Sequence, residues 1–194
     1  VSVRSLSGAE LEGAIDALAS LRIGVFKAYP YLYAGNADYE RHYLRSFANA
    51  KHAIIAAACL EDGRVIGCAT GSALDAHHAE FSAPLVKLGV DSATTFYFGE
   101  SVLLPTLRGH GLGHVFFDAR EAHARALGYQ RACFCAVTRP PDHPEMPSGY
   151  TPLDRFWSAR GYHRLEGVST TYDWPEIANG PDIAHDMAYW LREF

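Results

Sequence analysis

The first chemical signal in this sequence is a run of glycines. VLLPTLRGHGLGHVFF, Val102 to Phe117, passes from an apolar, strand-like stretch through Arg108, Gly109, Gly111 and Gly113 into a helical pattern. Without Cβ atoms at the glycines, the backbone can turn tightly and bring its amide N–H groups close to an oxyanion. The first turn of the following helix adds unpaired N–H groups and a partial positive charge, which suits a phosphate or pyrophosphate. Two common nucleotide motifs fit poorly. No lysine follows the glycines, as GxxxxGK[ST] requires, and GHGLG lacks the third glycine of GxGxxG at the right offset. The pattern that is met is Arg-x-x-Gly-x-Gly, at Arg108, Gly111 and Gly113. The plain alternative is a ligand-free turn between strand and helix.

Other reactive residue types point elsewhere. His110 and His114 have i, i+4 spacing, but no glutamate lies between them as in HExxH, and His77 and His78 are adjacent, so no metal site is expected. The four cysteines, Cys59, Cys68, Cys133 and Cys135, lie in apolar runs and form no CxxC, so they read as buried thiols in a reducing compartment.

These residues need a scaffold, and the chain supplies one in alternating segments. Val1 to Arg4 reads as a strand, and Ser7 to Glu10 as a capping box opening a helix over about 8–27. Leu11, Ile15, Leu18 and Val25 form that helix's apolar face, with Arg22 as a polar interruption. The aromatic loop YPYLYAG, Tyr29 to Gly35, leads to a second helix over Ala37 to Ala48. AIIAAACL and RVIGCATGSAL flank Asp62-Gly63 and predict an antiparallel hairpin. Residues 77–90 read as a helix or an irregular crossover. Thr94 to Leu104 returns to strand, Leu112 to Leu127 to helix, and Arg131 to Val137 to a buried strand. A proline-rich loop, 138–150, precedes a helix with Thr151 as N-cap and Pro152 at its first position. Two strands close the chain, the last within MAYWLREF. There are no internal repeats and no linker, so one domain over 1–194 is expected, an α/β domain with a mixed sheet.

Composition limits the partners. The chain has 194 residues, 48% of them hydrophobic, which suffices for one buried core. No apolar run approaches the roughly 18 residues of a membrane span, and Glu10, Glu12 and Asp16 stand where a signal peptide would be basic and then apolar. A soluble, cytoplasmic protein is expected. The net charge of −5 argues against nucleic acid or a membrane surface as partner and is compatible with a cationic amine.

The Arg108–Gly113 pattern after a strand, together with the element order from end to end, resembles the GNAT superfamily of N-acyltransferases. The resemblance implies an α/β GNAT fold: a mixed, mostly antiparallel six- to seven-stranded sheet with helices on both faces and two central strands splayed apart. It implies acetyl-CoA as co-substrate, with Ser101, Val102 and Leu103 along the pantetheine arm. Gly109, His110, Gly111, Leu112, Gly113 and His114 would hold the pyrophosphate, with Arg108 alongside. The implied reaction is direct attack of a primary amine of a small molecule on the thioester; acetylation of a peptide amine, or a non-catalytic acyl-CoA sensor of the same shape, are the alternatives. A homodimer is compatible with it. An amine is almost wholly protonated at neutral pH, so a base is needed. Glu100, interrupting FYFGESVLL, is the first candidate, against the alternatives of an exposed edge carboxylate or a structural ion pair. The family's tyrosine acid would fall at Trp157 in FWSARGY, which cannot donate a phenolic proton; Tyr150 is the candidate in its place, with Ser158, water or no specific acid as the alternatives. Tyr29, Tyr31 and Tyr33 on one side, with Arg139 and His143 in the proline-rich loop opposite, are expected to wall the acceptor pocket, against plain packing of the tyrosines.

Overall fold

The computed structural model describes residues 1–77, 79–176 and 180–194; His78 therefore lies outside the described residues. In chain order the elements are β1 (Ser2–Ser5), α1 (Gly8–Phe26), α2 (Ala37–Ala48), β2 (Ile54–Cys59), β3 (Val65–Ala73), α3 (Ala79–Lys87), β4 (Thr95–Leu103), α4 (Leu112–Ala126), β5 (Arg131–Val137), α5 (Asp154–Ala159), β6 (His163–Trp174) and β7 (Ile183–Glu193). The strands form one seven-stranded sheet in the order β1-β2-β3-β4-β5-β7-β6. Among the described residues only β4 and β5 run parallel; every other neighbouring pair is antiparallel.

Strand alternation divides the core between two faces. Ile55, Ala57 and Cys59 of β2 join Leu11, Ile15 and Leu18 of α1 and Leu44 and Phe47 of α2. Ile54 and Ala56 point the other way, into a cluster with Phe96 and Phe98 of β4 and Phe117 and Ala124 of α4. Both faces of β2 are thus covered, which is why its sequence is apolar throughout instead of alternating.

Two helix starts differ from the sequence expectation. Ser7 is the N-cap of α1, but its side chain makes no capping bond. Its intended partner Glu10 accepts from Arg4 Nη1 at 2.5 Å, so the neighbouring strand takes the carboxylate and no capping box forms. Helix α5 begins at Asp154 rather than after Thr151, whose hydroxyl donates back to Gly149 O at 3.5 Å. The segment after β3 resolves into a short 3-10 turn, Leu74–Ala76, and α3. β7 starts at Ile183, earlier than MAYWLREF implies.

The feature that makes room for a ligand is the short β4–β5 ladder. Thr95, Phe96 and Tyr97 pair with Arg131, Ala132 and Cys133, and there the pairing stops. β4 continues to Leu103 still paired with β3, and β5 continues to Val137 still paired with β7. Each half of the sheet remains intact, and a wedge opens between them.

Candidate active site

At the wide end of the wedge the chain leaves β4 through a 3-10 turn, Pro105–Leu107, and enters α4 through the glycine loop. Gly109 and Gly111 have φ of +79° and +84°, a left-handed conformation that costs an L-residue about 1–2 kcal/mol. This is the physical reason for glycine there. Gly111 is the N-cap of α4, and its carbonyl accepts from His114 N at 2.9 Å. The N–H groups of Gly109, His110, Gly111, Leu112 and Gly113 have no acceptor among the described residues. Arg108, Gly109, His110 and Gly111 are exposed. A row of free amides, an exposed arginine and a helix N-terminus is an arrangement able to take an anion. His114, in the first turn, has its Nδ1 3.2 Å from Arg160 Nη1. Arginine only donates, so Nδ1 is the acceptor there. Along β4, Val102 is buried against α1, while Ser101 Oγ accepts from Arg120 Nη2 at 2.8 Å.

At the narrow end a β-bulge sets the direction of Glu100. Phe96 and Phe98 face α4, and strict alternation would send Glu100 to the same side. Instead Ala69 pairs with Ser101 and Gly71 with Phe98, so Thr70 stands opposite both Gly99 and Glu100. A Cβ on Gly99 would collide with Thr70 Oγ1, so only glycine allows this close approach. The Thr70 hydroxyl accepts from Glu100 N at 3.2 Å. From α4, the fully buried Arg120 spans the bulge, its Nη1 donating to Thr70 O and to Glu100 O at 3.2 Å each. Burial lowers the Arg120 pKa to about 10, against the opposing influence of Tyr162, Glu100 and Glu121.

The extra residue turns the Glu100 side chain toward α1 and α2. Arg22 Nη1 donates to Glu100 Oε1, Tyr43 OH donates to Oε2 at 3.0 Å, and Arg22 Nε donates to Glu40 Oε2. The side chains of Arg22, Glu40 and Glu100 are 8%, 1% and 8% exposed. Burial opposes the charge on Arg22, but Glu100, Tyr43 and Glu40 outweigh it and hold its pKa well above the usual value. The Arg22 guanidinium also lies 4.3 Å from the centre of the Tyr43 ring.

The two aromatic-rich loops meet. Tyr29 packs edge-on against Tyr150, ring centres 4.7 Å apart, and against His143 at 5.5 Å. Arg139 donates to Pro30 O at 2.7 Å, to Tyr31 O at 3.0 Å and to Glu176 Oε1 at 2.6 Å. These loops therefore form one joined rim, not facing walls, and Arg139 is its clasp. The Tyr31 ring packs on Phe26 and Trp174, and burial raises its pKa. Burial and then Glu40 do the same for Tyr33. Trp157 stacks edge-on against Phe134 and Trp190, ring centres 5.1 Å from each, and so fastens α5 to β5 and β7.

Sequence reasoning missed Arg22, Glu40, Tyr43 and Arg120. A signal for three of them is present. Leu18 and Arg22, Glu40 with Leu44 and Phe47, and Phe116 with Arg120 and Ala124 are buried at helical spacing, so each charge interrupts an apolar stripe. Among the described residues no group of three or more His, Cys, Asp or Glu could hold a metal ion. Likewise, no helix there is long and apolar enough to cross a membrane.

The model of the acetyltransferase (GNAT) family matches residues 20–147. The chain belongs to this family. Among solved structures, the GCN5-related N-acetyltransferase from Kribbella flavida superposes with a TM-score of 0.62 at 13% identity, covering 100% of this chain and 97% of that one. The ribosomal-protein-alanine N-acetyltransferase from Brucella melitensis gives 0.63 at 12%, covering 100% of both chains. The yncA protein from Salmonella typhimurium, solved with its cofactor acetyl-CoA, gives 0.61 at 11%, covering 99% of this chain and 92% of that one. At such identities the likeness is one of fold. No curated protein matches the sequence. In this GNAT chain the family match runs from α1 through most of the proline-rich loop. It contains Glu100 and the glycine loop and ends before Trp157. The chain is thus an acetyltransferase whose sheet carries both an anion-ready helix start and a buried carboxylate beside the same wedge.

Proposed function

We propose that this chain, as a single cytoplasmic domain over residues 1–194, transfers the acetyl group of acetyl-CoA to the primary amine of a small molecule. The observation that carries this reading is the β4–β5 wedge with free backbone amides at its wide end and Glu100 at its narrow end. Extended backbone at Ser101, Val102 and Leu103 has no β5 partner and can pair with the amides of a pantetheine arm. The N–H groups from Gly109 to Gly113, His114 and Arg108 suit the pyrophosphate. Acetyl-CoA supplies an activated acetyl carbon. The amine nitrogen bonds to that carbon and the C–S bond breaks. One ammonium proton goes to Glu100, directly or through water, and the thiolate takes up a proton as CoA leaves. Tyr150 is the second catalytic candidate. Tyr29, Tyr31, Tyr33, His143 and Arg139 shape the acceptor side, Arg139 by holding the rim rather than by facing the amine. Aromatic rings there favour an amine cation.

The test is thiol release by the purified protein from acetyl-CoA with ethanolamine, putrescine, tyramine, free amino acids and an alanine-terminated hexapeptide. Turnover with a small amine is expected. Turnover with the hexapeptide alone would move the acceptor to a protein N-terminus. Thermal stabilisation by CoA without thiol release for any amine would make the chain a sensor.

A further inference from the structure

One guanidinium serving two buried carboxylates is an unusual arrangement in an interior. Arg22 of α1 bonds both Glu40 of α2 and Glu100 of β4, and all three side chains are more than nine-tenths buried. Of the other groups near Glu100, three are uncharged at neutral pH. Burial raises the pKa of Tyr43 on α2, of Tyr31 in the loop between α1 and α2 and, to about 12, of Cys68 on β3. Thr70 of β3 binds only the Glu100 backbone N–H. Arg120 is a cation, but it stands on the α4 side of β4 and meets Glu100 at its backbone carbonyl, not at its carboxylate. Within the row itself two carboxylates share one guanidinium, which leaves one negative charge without an ion-pair partner. A closed Arg22–Glu100 pair would leave none.

Holding the helices together does not require this row. The α1–α2 contact has its own apolar cluster and two exposed ion pairs, Arg41–Asp16 at 2.6 Å and Arg45–Glu12 at 2.9 Å. We propose that Glu40 is a positioning residue for acetyl transfer: it shares Arg22, so that Arg22 fixes the Glu100 carboxylate in direction while the row keeps a spare negative charge for the proton of an incoming ammonium. The inference rests on Glu100 being the base.

The test reads Glu100 directly, through the pH midpoint of its carboxyl carbon signal in protein labelled with 13C at glutamate Cδ; the signal is assigned by its loss in Glu100→Gln. In Glu40→Gln the midpoint moves to lower pH by about one unit or more, because Arg22 then acts on Glu100 alone. In the double variant Arg22→Met/Glu40→Met, which restores the spare charge and removes the cation, it moves to higher pH. Glu40→Asp keeps the wild-type midpoint and covers the case in which Glu40→Gln does not fold. Turnover of the best panel amine at neutral pH falls about 3–10-fold in Glu40→Gln with the acetyl-CoA KM unchanged. A role in packing alone would move both midpoints the same way or neither, and that result overturns the proposal. Full activity in Glu100→Gln would instead overturn the reading of Glu100 as base, whatever the midpoints do.

Discussion

The glycine loop and the Glu100 centre lie on the same strand and are built by opposite means. The loop uses main-chain amides from five consecutive residues, stands open, and depends on side chains mainly by lacking them at Gly109 and Gly111. The Glu100 centre uses side chains from α1, α2 and β4, with α4 and β3 bracing its backbone, and is closed to solvent over most of its surface. A backbone site is set by local conformation; a side-chain site is set by how distant elements pack. The division implies separate tasks, holding the donor at one end and handling the proton at the other.

If the tasks are separate, damage at one end leaves the other's parameter intact. The largest effect is expected in Glu100→Gln. With Arg22–Glu40 still paired, kcat/KM falls by about 10²–10⁴ while CoA affinity by calorimetry stays within about twofold. Equal losses in both would merge the two regions into one. Next is Arg120→Met, which takes the donor from two carbonyls of the bulge that joins the regions. A loss of about 2 kcal/mol in urea unfolding is expected, and unchanged stability would mean that the bulge holds itself. Gly111→Ala forces a Cβ into a left-handed conformation and should weaken CoA binding about tenfold, leaving kcat at saturation alone. The smallest effect lies outside both regions. His185 stacks on Trp174 with ring centres 3.6 Å apart, and burial, first among its causes, lowers its pKa below 6.5. Its imidazole is neutral in the fold and gains a proton more readily when unfolded. Its contribution to stability is therefore complete above about pH 6.5 and is lost as pH falls through the depressed folded value. Melting temperature should fall from pH 7 to pH 5 with a slope that His185→Gln flattens, while CoA affinity at pH 7 stays unchanged.

The same contrast explains what could be read from the residues in order. Gly109, Gly111 and Gly113 announce a turn because positive φ and close approach are local demands, and the α2 and β5 bounds, Ala37–Ala48 and Arg131–Val137, follow from local periodicity. Glu100 drew notice as a charge within an apolar strand, but its direction did not follow from alternation. The bulge that reverses it depends on Thr70, thirty residues away, fitting against Gly99. Arg22 broke an apolar face visibly, yet nothing nearby in sequence named Glu40 and Glu100 as the reason. The capping box at Ser7 does not close because Arg4 takes the Glu10 carboxylate, and α5 is capped at Leu153, two residues beyond Thr151. The joining of YPYLYAG to the proline-rich loop depends on Arg139 reaching two carbonyls more than a hundred positions away.

The three-pair ladder between β4 and β5 has a mechanical meaning. The two half-sheets share only Thr95–Arg131, Phe96–Ala132 and Tyr97–Cys133 as a seam, and beyond it each presents an unzipped border to the other. A molecule lying between those borders acts as a missing strand, so that its arrival stiffens the protein from the seam outward. Slowed amide exchange at Phe98–Leu103 and Phe134–Val137 would be the imprint of an occupied wedge.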